Sequence, residues 1–153
     1  PDGTLNPDAV GFSRRATLHP NLRGWGRTKR WEYWGIVTPT HILGLTISNL
    51  DYAAVHQCYV LERATGRERE AGALVPLARG VDLPDTPAPV EASAQAKGLD
   101  FGFTDHTDGS TEISVRVATR DLELQADLTA LPGMGDVLAV VVPWSSRRFQ
   151  YTV

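Results

Sequence analysis

The chain has 153 residues, of which 42% are hydrophobic and 22% are charged, and its formal net charge is −3. This balance fits one globular domain with a sizeable core, and it excludes the overall basic charge of a typical nucleic-acid-binding domain. The single cysteine, Cys58, excludes an internal disulfide, and no apolar run is as long as a membrane-spanning helix. We therefore expect a cytoplasmic protein that has no membrane span and no nucleic-acid partner.

The N-terminal segment is predicted to form an irregular arm. Glycine or proline recurs between Gly3 and Gly26 too often for a helix or a long strand. Ordered arms of this kind commonly lie over a sheet and cover one of its edges. The sequence therefore predicts an arm at residues 1–28 and a β-domain at residues 29–153.

From Trp31 onward the side chains alternate with a period of two, which is typical of β-strands. This alternation predicts strands at Thr40–Asn49 and Ala54–Glu62, followed by a turn at Thr65-Gly66. Polar residues then separate the turn from a short predicted strand at Ala71–Leu77.

The second half of the chain begins with a predicted loop at residues 80–89, where proline and glycine are frequent. The dipeptide Asp108-Gly109 is a strong hairpin signal. Residues 137–142 are apolar at every position, which predicts a strand covered on both faces. Four alternating segments predict further strands, at residues 90–96, 99–104, 113–117 and 122–128.

A final strand is predicted from Phe149, and it runs to Val153 without a turn after it. We therefore expect further chain to complete the structure. About nine short strands without an amphipathic helix predict an all-β, antiparallel fold. Two architectures fit this pattern: a lipocalin-like barrel and a strongly curved β-sandwich.

The segment Lys29–Trp34 has three aromatic side chains within four positions, next to two cations. It has two interpretations, and both include Trp144 much later in the chain. Tryptophans with a stacked arginine could form a packing plug that closes a barrel end or docks another domain. The same side chains could instead form the wall of a pocket for an apolar or planar ligand.

Two further motifs contain residue types that act in catalysis or metal binding. His41 leads an apolar strand face beside Leu43, where a partly buried histidine is more common than an acid–base group. Asp105–Asp108 combines two carboxylates with an imidazole, but adjacent hairpin residues point in different directions. This segment is therefore interpreted as a turn, and no metal site is predicted.

Cofactor and nucleophile signals are weak in this sequence. The glycine-rich segments at residues 23–26 and 132–135 do not lie between a strand and a helix, as a phosphate-binding loop would. Cys58 has no activating neighbours in the sequence, so it is interpreted as a small packing residue. We expect no cofactor.

Four segments of the chain resemble a bacterial family that is catalogued as domain of unknown function 2804. They are GTLNPDAVGFSR at 3–14, KRWEYW at 29–34, ISNLDY at 47–52 and VVPWSSRRFQYTV at 141–153. The resemblance implies a longer protein, because family members continue into a second half. The C-terminal half of the same protein is thus the expected partner.

The resemblance implies no activity and assigns no catalytic residue. Its two-half, all-β layout looks like the paired lipocalin-like barrels of the carotenoid hydratase group, in which some members act on isoprenoids or other apolar molecules. This likeness is at the level of the fold and assigns no substrate.

Three classes of function are compatible with the sequence. The first is binding of an apolar small molecule, lipid or isoprenoid-like, with Arg30 or Arg148 holding a polar head group. The second is a hydratase, cyclase or isomerase, for which His41, Asp51 and Tyr52 are the candidate acid–base groups. The third is a structural domain that scaffolds the C-terminal half. The candidate ligand-binding residues are Trp31, Trp34, His41, Tyr52, Trp144 and Arg148.

Overall fold

The structure, a computed structural model, describes residues 3–16, 18, 24–84, 91–133, 135 and 137–153. Within these ranges the chain forms strands that pair only in antiparallel fashion, together with a short 3₁₀ turn at Pro7–Ala9. No α-helix occurs in the described ranges. Across the same part of the chain, no helix could span a bilayer. The predicted all-β, antiparallel fold is confirmed.

One sheet is a simple meander of four long strands, in which each strand pairs with the next along the chain. The alternating side chains of this region favour such pairing because each strand can turn one face inward. Its strands are β2 (Arg30–Val37), β3 (His41–Asn49), β4 (Ala53–Glu62) and β5 (Arg67–Pro76).

The second sheet has five strands and is also a meander, in the order β10-β9-β8-β7-β6. The predicted hairpin at Asp108-Gly109 is confirmed, and Gly109 adopts a φ of +86° in the turn. The strands are β6 (Val81–Asp82), β7 (Glu91–Ala96), β8 (Leu99–Asp105), β9 (Thr111–Ala118) and β10 (Glu123–Ala130).

A third, small sheet brings the N-terminal segment together with the end of the chain. It has the order β1-β11-β12, with β1 at Gly11–Ser13, β11 at Ala139–Ser145 and β12 at Arg148–Thr152. β11 contains Pro143, which lies beyond the residues that pair with β1. The missing N–H of this proline therefore leaves no gap in the β1–β11 ladder.

Inward-facing side chains of the two larger sheets form one shared apolar core. Trp34 of β2 packs edge-to-face on Phe103 of β8, with ring centroids 6.3 Å apart, so this contact joins the two sheets. The largest apolar side chains that are fully buried are Phe101, Phe103, Leu45, Ile47, Ile113, Val115 and Cys58.

Both larger sheets are open in the described residues. One has β2 and β5 at its edges, and the other has β10 and β6. Within that part of the chain, no sheet closes on itself, so the lipocalin-like barrel stays a prediction.

Two strand predictions differ from the structure. β5 begins at Arg67 rather than at Ala71. Its first four residues are all charged, so the sequence has no apolar alternation there that would predict a strand. The strand predicted at residues 137–142 begins only at Ala139 and continues to Ser145. The prediction that it is covered on both faces is wrong: Ala139 and Val141 are buried, whereas Val142 is 42% exposed.

Other predictions fall partly outside the described residues. The predicted loop at residues 80–89 contains the two-residue strand β6, and residues 85–90 lie outside the described part of the chain. The predicted arm contains β1 in its described part. The division of the chain at residue 28 stays a prediction.

His56 should make the stability of the protein depend on pH. It is 0% exposed on β4, neither ring nitrogen has a hydrogen-bond partner in the described residues, and burial lowers its pKa. The unfolded chain, where the pKa is about 6.5, then binds a proton that the folded chain excludes. Stability from this group is thus present above about pH 6.5 and is lost as the pH falls.

We expect the melting temperature of the wild type to decrease from about pH 6.5 downward, and that of His56→Leu to decrease less steeply. The measurement is thermal unfolding followed by circular dichroism across this pH range. The matched control is His41→Leu, which removes an exposed histidine instead of the buried one. Identical pH profiles for the wild type and His56→Leu would contradict the assignment.

Candidate functional site

A cleft of about 620 Å³ opens between the two larger sheets, where β3 and β5 begin and β4 ends. It is lined by residues of β3, β4 and β5 on one side and by the start of β10 on the other. The apolar lining residues are Leu43, Val60, Leu122 and Leu124, and the ionisable ones are His41, Glu62, Arg67, Arg69 and Glu123.

The floor of the cleft is continuous with the core. Leu43 and Leu122 are buried, and Val60 and Leu124 are partly buried against the core cluster. The cleft therefore exposes the edge of the same apolar interior that holds the two sheets together. Such a floor favours the apolar part of a ligand.

Strand register explains how charged residues come to line an apolar cleft. Leu43 pairs with Val60, and Val60 pairs with Arg69, so the three form one row across β3, β4 and β5. Cross-strand partners of this kind lie about 4.5–5.5 Å apart at Cβ and share a face of the sheet. The next row towards solvent consists of His41, Glu62 and Arg67.

The two arginines of β5 have no ion-pair partner among the described residues. Glu62, the cross-strand neighbour of Arg67, accepts a hydrogen bond of 2.8 Å from the Thr65 hydroxyl in the turn. Arg63 donates to the Thr38 carbonyl at 2.9 Å and thus fixes the rim of the cleft. The guanidinium groups of Arg67 and Arg69 remain as the unneutralised cations of this wall.

His41 is the one predicted ligand-binding residue that lines this cleft. It is exposed at the rim, and its Nδ1 lies 2.9 Å from the Thr40 hydroxyl. The other five predicted residues are not among the residues that line the cleft.

The aromatic cluster is divided between the two faces of β2 by the alternation of the strand. Trp31 lies on the outer face, where the Lys29 Nζ is 5.5 Å from its ring centroid. Trp34 lies on the inner face, where it packs against the core and donates a 2.8 Å hydrogen bond to Glu32. Burial raises the pKa of Glu32, although the bond from Trp34 lowers it. The structure therefore gives Trp34 a packing contact and separates it from Trp31.

The remaining predicted residues lie elsewhere on the surface. Tyr52 is exposed in the turn between β3 and β4, and its carbonyl accepts a hydrogen bond from the Leu77 N–H. Trp144 and Arg148 are exposed at the β11–β12 hairpin. The structure does not bring these residues together with His41, and their roles in ligand binding stay predictions.

Asp51, a candidate acid–base group, holds the segment before β2 against the turn between β3 and β4. Its Oδ2 accepts hydrogen bonds from the Gly26 N–H at 2.7 Å and from the Thr28 hydroxyl at 3.3 Å. Its Oδ1 lies 3.6 Å from a guanidinium nitrogen of Arg30. This geometry fits a structural anchor, and it also engages Arg30, which was a candidate for holding a head group.

The segment Asp105–Asp108 runs from the last residue of β8 into the hairpin turn, in agreement with its interpretation as turn sequence. The Asp108 Oδ1 accepts bonds from the Ser110 hydroxyl at 2.6 Å and from the Ser110 N–H at 2.9 Å, and these bonds lower the pKa of Asp108. The Thr111 hydroxyl donates to Asp105 at 2.7 Å. The part of the chain that the structure describes contains no group of three or more potential metal ligands.

Cys58 is fully buried, and burial raises its pKa to about 11. Its thiol is therefore protonated at neutral pH and is not a nucleophile. The prediction that Cys58 packs within a sheet is confirmed, because it belongs to the core cluster.

Sequence reasoning missed Arg67 and Arg69. The signal was present, since two arginines two positions apart directly follow the predicted turn at Thr65-Gly66. A two-position spacing places both side chains on one face once the strand extends to the turn. The prediction placed these residues in a polar segment between the turn and the next strand, and it therefore gave them no common face.

The fold and the cleft define an all-β, antiparallel domain with an open, partly apolar cleft between two sheets. The chain belongs to the family described as Domain of unknown function (DUF2804), whose family model matches residues 1–153. This match confirms the family that the sequence motifs resemble. No curated protein and no solved structure matches the chain.

The anchoring role of Asp51 leads to a stability prediction. Asp51→Ala should lower the free energy of unfolding by about 2 kcal/mol, because the Gly26 N–H and the Thr28 hydroxyl lose a charged acceptor. Asp51 also has a φ of 68°, which asparagine tolerates better than alanine. Asp51→Asn should therefore destabilise the protein less.

Urea denaturation of both variants tests this role. Asp51→Gly is the control for backbone strain, because glycine adopts the same φ without penalty but removes the hydrogen bonds. An alanine variant as stable as the wild type would contradict the anchor. If glycine alone restores stability, backbone strain rather than hydrogen bonding is responsible.

Proposed function

We propose that this domain binds an apolar small molecule, of lipid or isoprenoid type, in the cleft between its two larger sheets. The observation that carries the proposal is an apolar floor formed by Leu43, Val60, Leu122 and Leu124 in a cleft of about 620 Å³. This volume lies within the range of about 300–1,000 Å³ that is usual for small-molecule sites. Polar side chains lie around this floor, where they can orient a ligand without filling it.

The physical basis of binding would be burial of hydrocarbon. Each methylene group removed from water contributes about 0.8 kcal/mol before the loss of ligand freedom is subtracted. A chain of several methylene groups against the leucines of the floor is thus enough for measurable affinity. The floor is part of the core, so its side chains are already ordered and lose little entropy when the ligand binds.

The proposal extends to architecture and location. The two sheets, with their shared apolar core, would belong to a lipocalin-like barrel or a strongly curved β-sandwich, as one half of a two-barrel protein. Further strands beside β5 or β10 would enclose the open side of the cleft. A cytoplasmic location is supported by the single, buried Cys58.

Filling the cleft should weaken binding. Leu124→Trp places a large ring against the floor, and we expect it to weaken the binding of 1-dodecanol by about tenfold or more. The matched control is Gln125→Trp, because Gln125 is exposed next to Leu124 on β10. The measurement is an NMR titration that follows the methyl groups of Leu43, Val60 and Leu122.

The expected result is that these methyl signals shift in the wild type and in Gln125→Trp but not in Leu124→Trp. Amide spectra recorded first establish that both variants keep the fold. If 1-dodecanol shifts none of these methyl signals in the wild type, the proposal is overturned.

A second candidate function, a scaffold for further β-structure of the same protein, is favoured by the outer face of the four-stranded sheet. Tyr33 lies there over Gly35 and Gly44 and is 61% exposed. Trp31, Val55 and Leu74 belong to the same face and are also exposed. Several large apolar side chains exposed on one sheet face are typical of a surface that another element covers.

Covering of this face can be tested by hydroxyl-radical labelling of Trp31 and Tyr33. We expect less oxidation of both in the full-length natural protein than in the 153-residue chain. Tyr52 is the control, because it is exposed in a turn away from this face. Equal labelling of Trp31 and Tyr33 in the two proteins would contradict the scaffold.

A further inference from the structure

We propose that the ligand of the cleft is an amphipathic anion, whose carboxylate or phosphate group is bound by Arg67 and Arg69. This inference rests on the proposed function, and it adds a chemical class to the ligand. It assigns a binding role to two residues of β5 that the sequence motifs did not identify.

The geometry of β5 places both guanidinium groups at the entrance to the apolar floor. Arg67 and Arg69 are two positions apart, which is about 6.6 Å along a strand, and both face the cleft. Arg69 shares its row with Leu43 and Val60, so it lies directly beside the floor. An anionic group held between the two arginines would leave its hydrocarbon chain pointing towards the core.

Arginine suits this role because its planar guanidinium forms two parallel hydrogen bonds to a carboxylate or phosphate. Neither Arg67 nor Arg69 is engaged by a carboxylate within the described residues. By contrast, Arg116 forms a bidentate pair with Asp127 at 3.0 and 2.9 Å. The chain thus satisfies an arginine on β9 and leaves two unsatisfied at the cleft.

Two acidic residues also line the cleft, and an ion pair with either of them would compete with a bound anion. Glu62 lies across from Arg67 but accepts a hydrogen bond from Thr65 in the turn. Glu123 lies on the opposite wall, at the start of β10. Since neither pairs with Arg67 or Arg69, the two cations remain adjacent on one wall, where a single anion can contact both.

A different explanation is that inward-facing charges on an edge strand prevent two sheets from joining edge to edge. β5 is an edge strand, so this explanation applies to Arg67 and Arg69. Protection of the edge strand requires only a charged residue of either sign at these two positions, whereas anion binding requires a positive charge. Replacement by glutamate therefore separates the two explanations.

The experiment compares four ligands that share a twelve-carbon chain: dodecanoate, dodecyl phosphate, 1-dodecanol and dodecylammonium. Each is kept below its critical micelle concentration in an NMR titration of the 153-residue chain. We expect at least one anion to bind about tenfold more tightly than 1-dodecanol, a difference of about 1.4 kcal/mol. The tighter of the two anions identifies the head group. Added salt should reduce this difference, because the cations are exposed.

Variants assign the effect to the two arginines. The double variant Arg67→Gln/Arg69→Gln should bind dodecanoate and dodecyl phosphate no better than 1-dodecanol. The double variant Arg67→Glu/Arg69→Glu should keep the oligomeric state of the wild type and bind the anions more weakly than the alcohol. The matched control is Arg79→Gln, an exposed arginine in the turn after β5, which should behave as the wild type.

Three results would overturn the inference. Equal affinity for the anions and 1-dodecanol would show that the arginines do not bind an anionic head group, but it would not contradict the proposed function. Tightest binding of dodecylammonium would assign the cleft to a cation, through Glu62 and Glu123. If none of the four ligands binds, both the proposed function and this inference fail.

Discussion

The structure depends on the requirement that two antiparallel sheets bury one face each in the same apolar core. Leu45 and Ile47 of β3 and Phe101 of β8 are fully buried, and each belongs to a strand whose alternate residues face away. Because the period of a strand is two, the register of each strand is fixed once its apolar face is buried. A slip by one residue would turn Leu45 and Ile47 to the outer face and expose the core.

The same requirement explains why the aromatic cluster does not form one site. Trp31 and Trp34 are three positions apart, so they point to opposite faces of β2. Trp34 completes the core against Phe103, and Trp31 joins an outer face that includes Tyr33. The aromatic residues that are close in the sequence therefore belong to two different surfaces, one packed in the core and the other exposed.

The sequence alone predicts the strands and much of the core, because apolar alternation is strong in β3, β9 and β10. Prediction from the sequence fails in segments where the order of apolar and polar residues does not follow the burial of one strand face. The first half of β5 carries charges on both faces, and β1 has only three residues. Residues 137–142 are apolar throughout, but only residues 139–142 belong to the small sheet, and Val142 stays exposed there.

The cleft could be predicted only in part, since its walls come from segments that are far apart in the chain. His41 was identified from its place on an apolar strand face. Arg69 and Leu122 line the cleft from opposite sides. They are far apart in the chain, so no local sequence pattern predicts that they share a cleft. Pairing of β4 with β5 up to the turn is what carries the arginines onto the inner face.

The two ends of the four-stranded sheet differ in the polar groups that they carry, and this difference determines where the cleft lies. At the end where β3 meets β4, Asp51 binds Gly26, Thr28 and Arg30 and so draws the preceding segment over that turn. At the opposite end, the inner-face row changes from Leu43 and Val60 to charged residues without ion-pair partners. Charged side chains cannot be buried unpaired without a large penalty, so the sheets cannot close over this end by themselves. The apolar floor therefore remains accessible there, next to groups that an anion would neutralise.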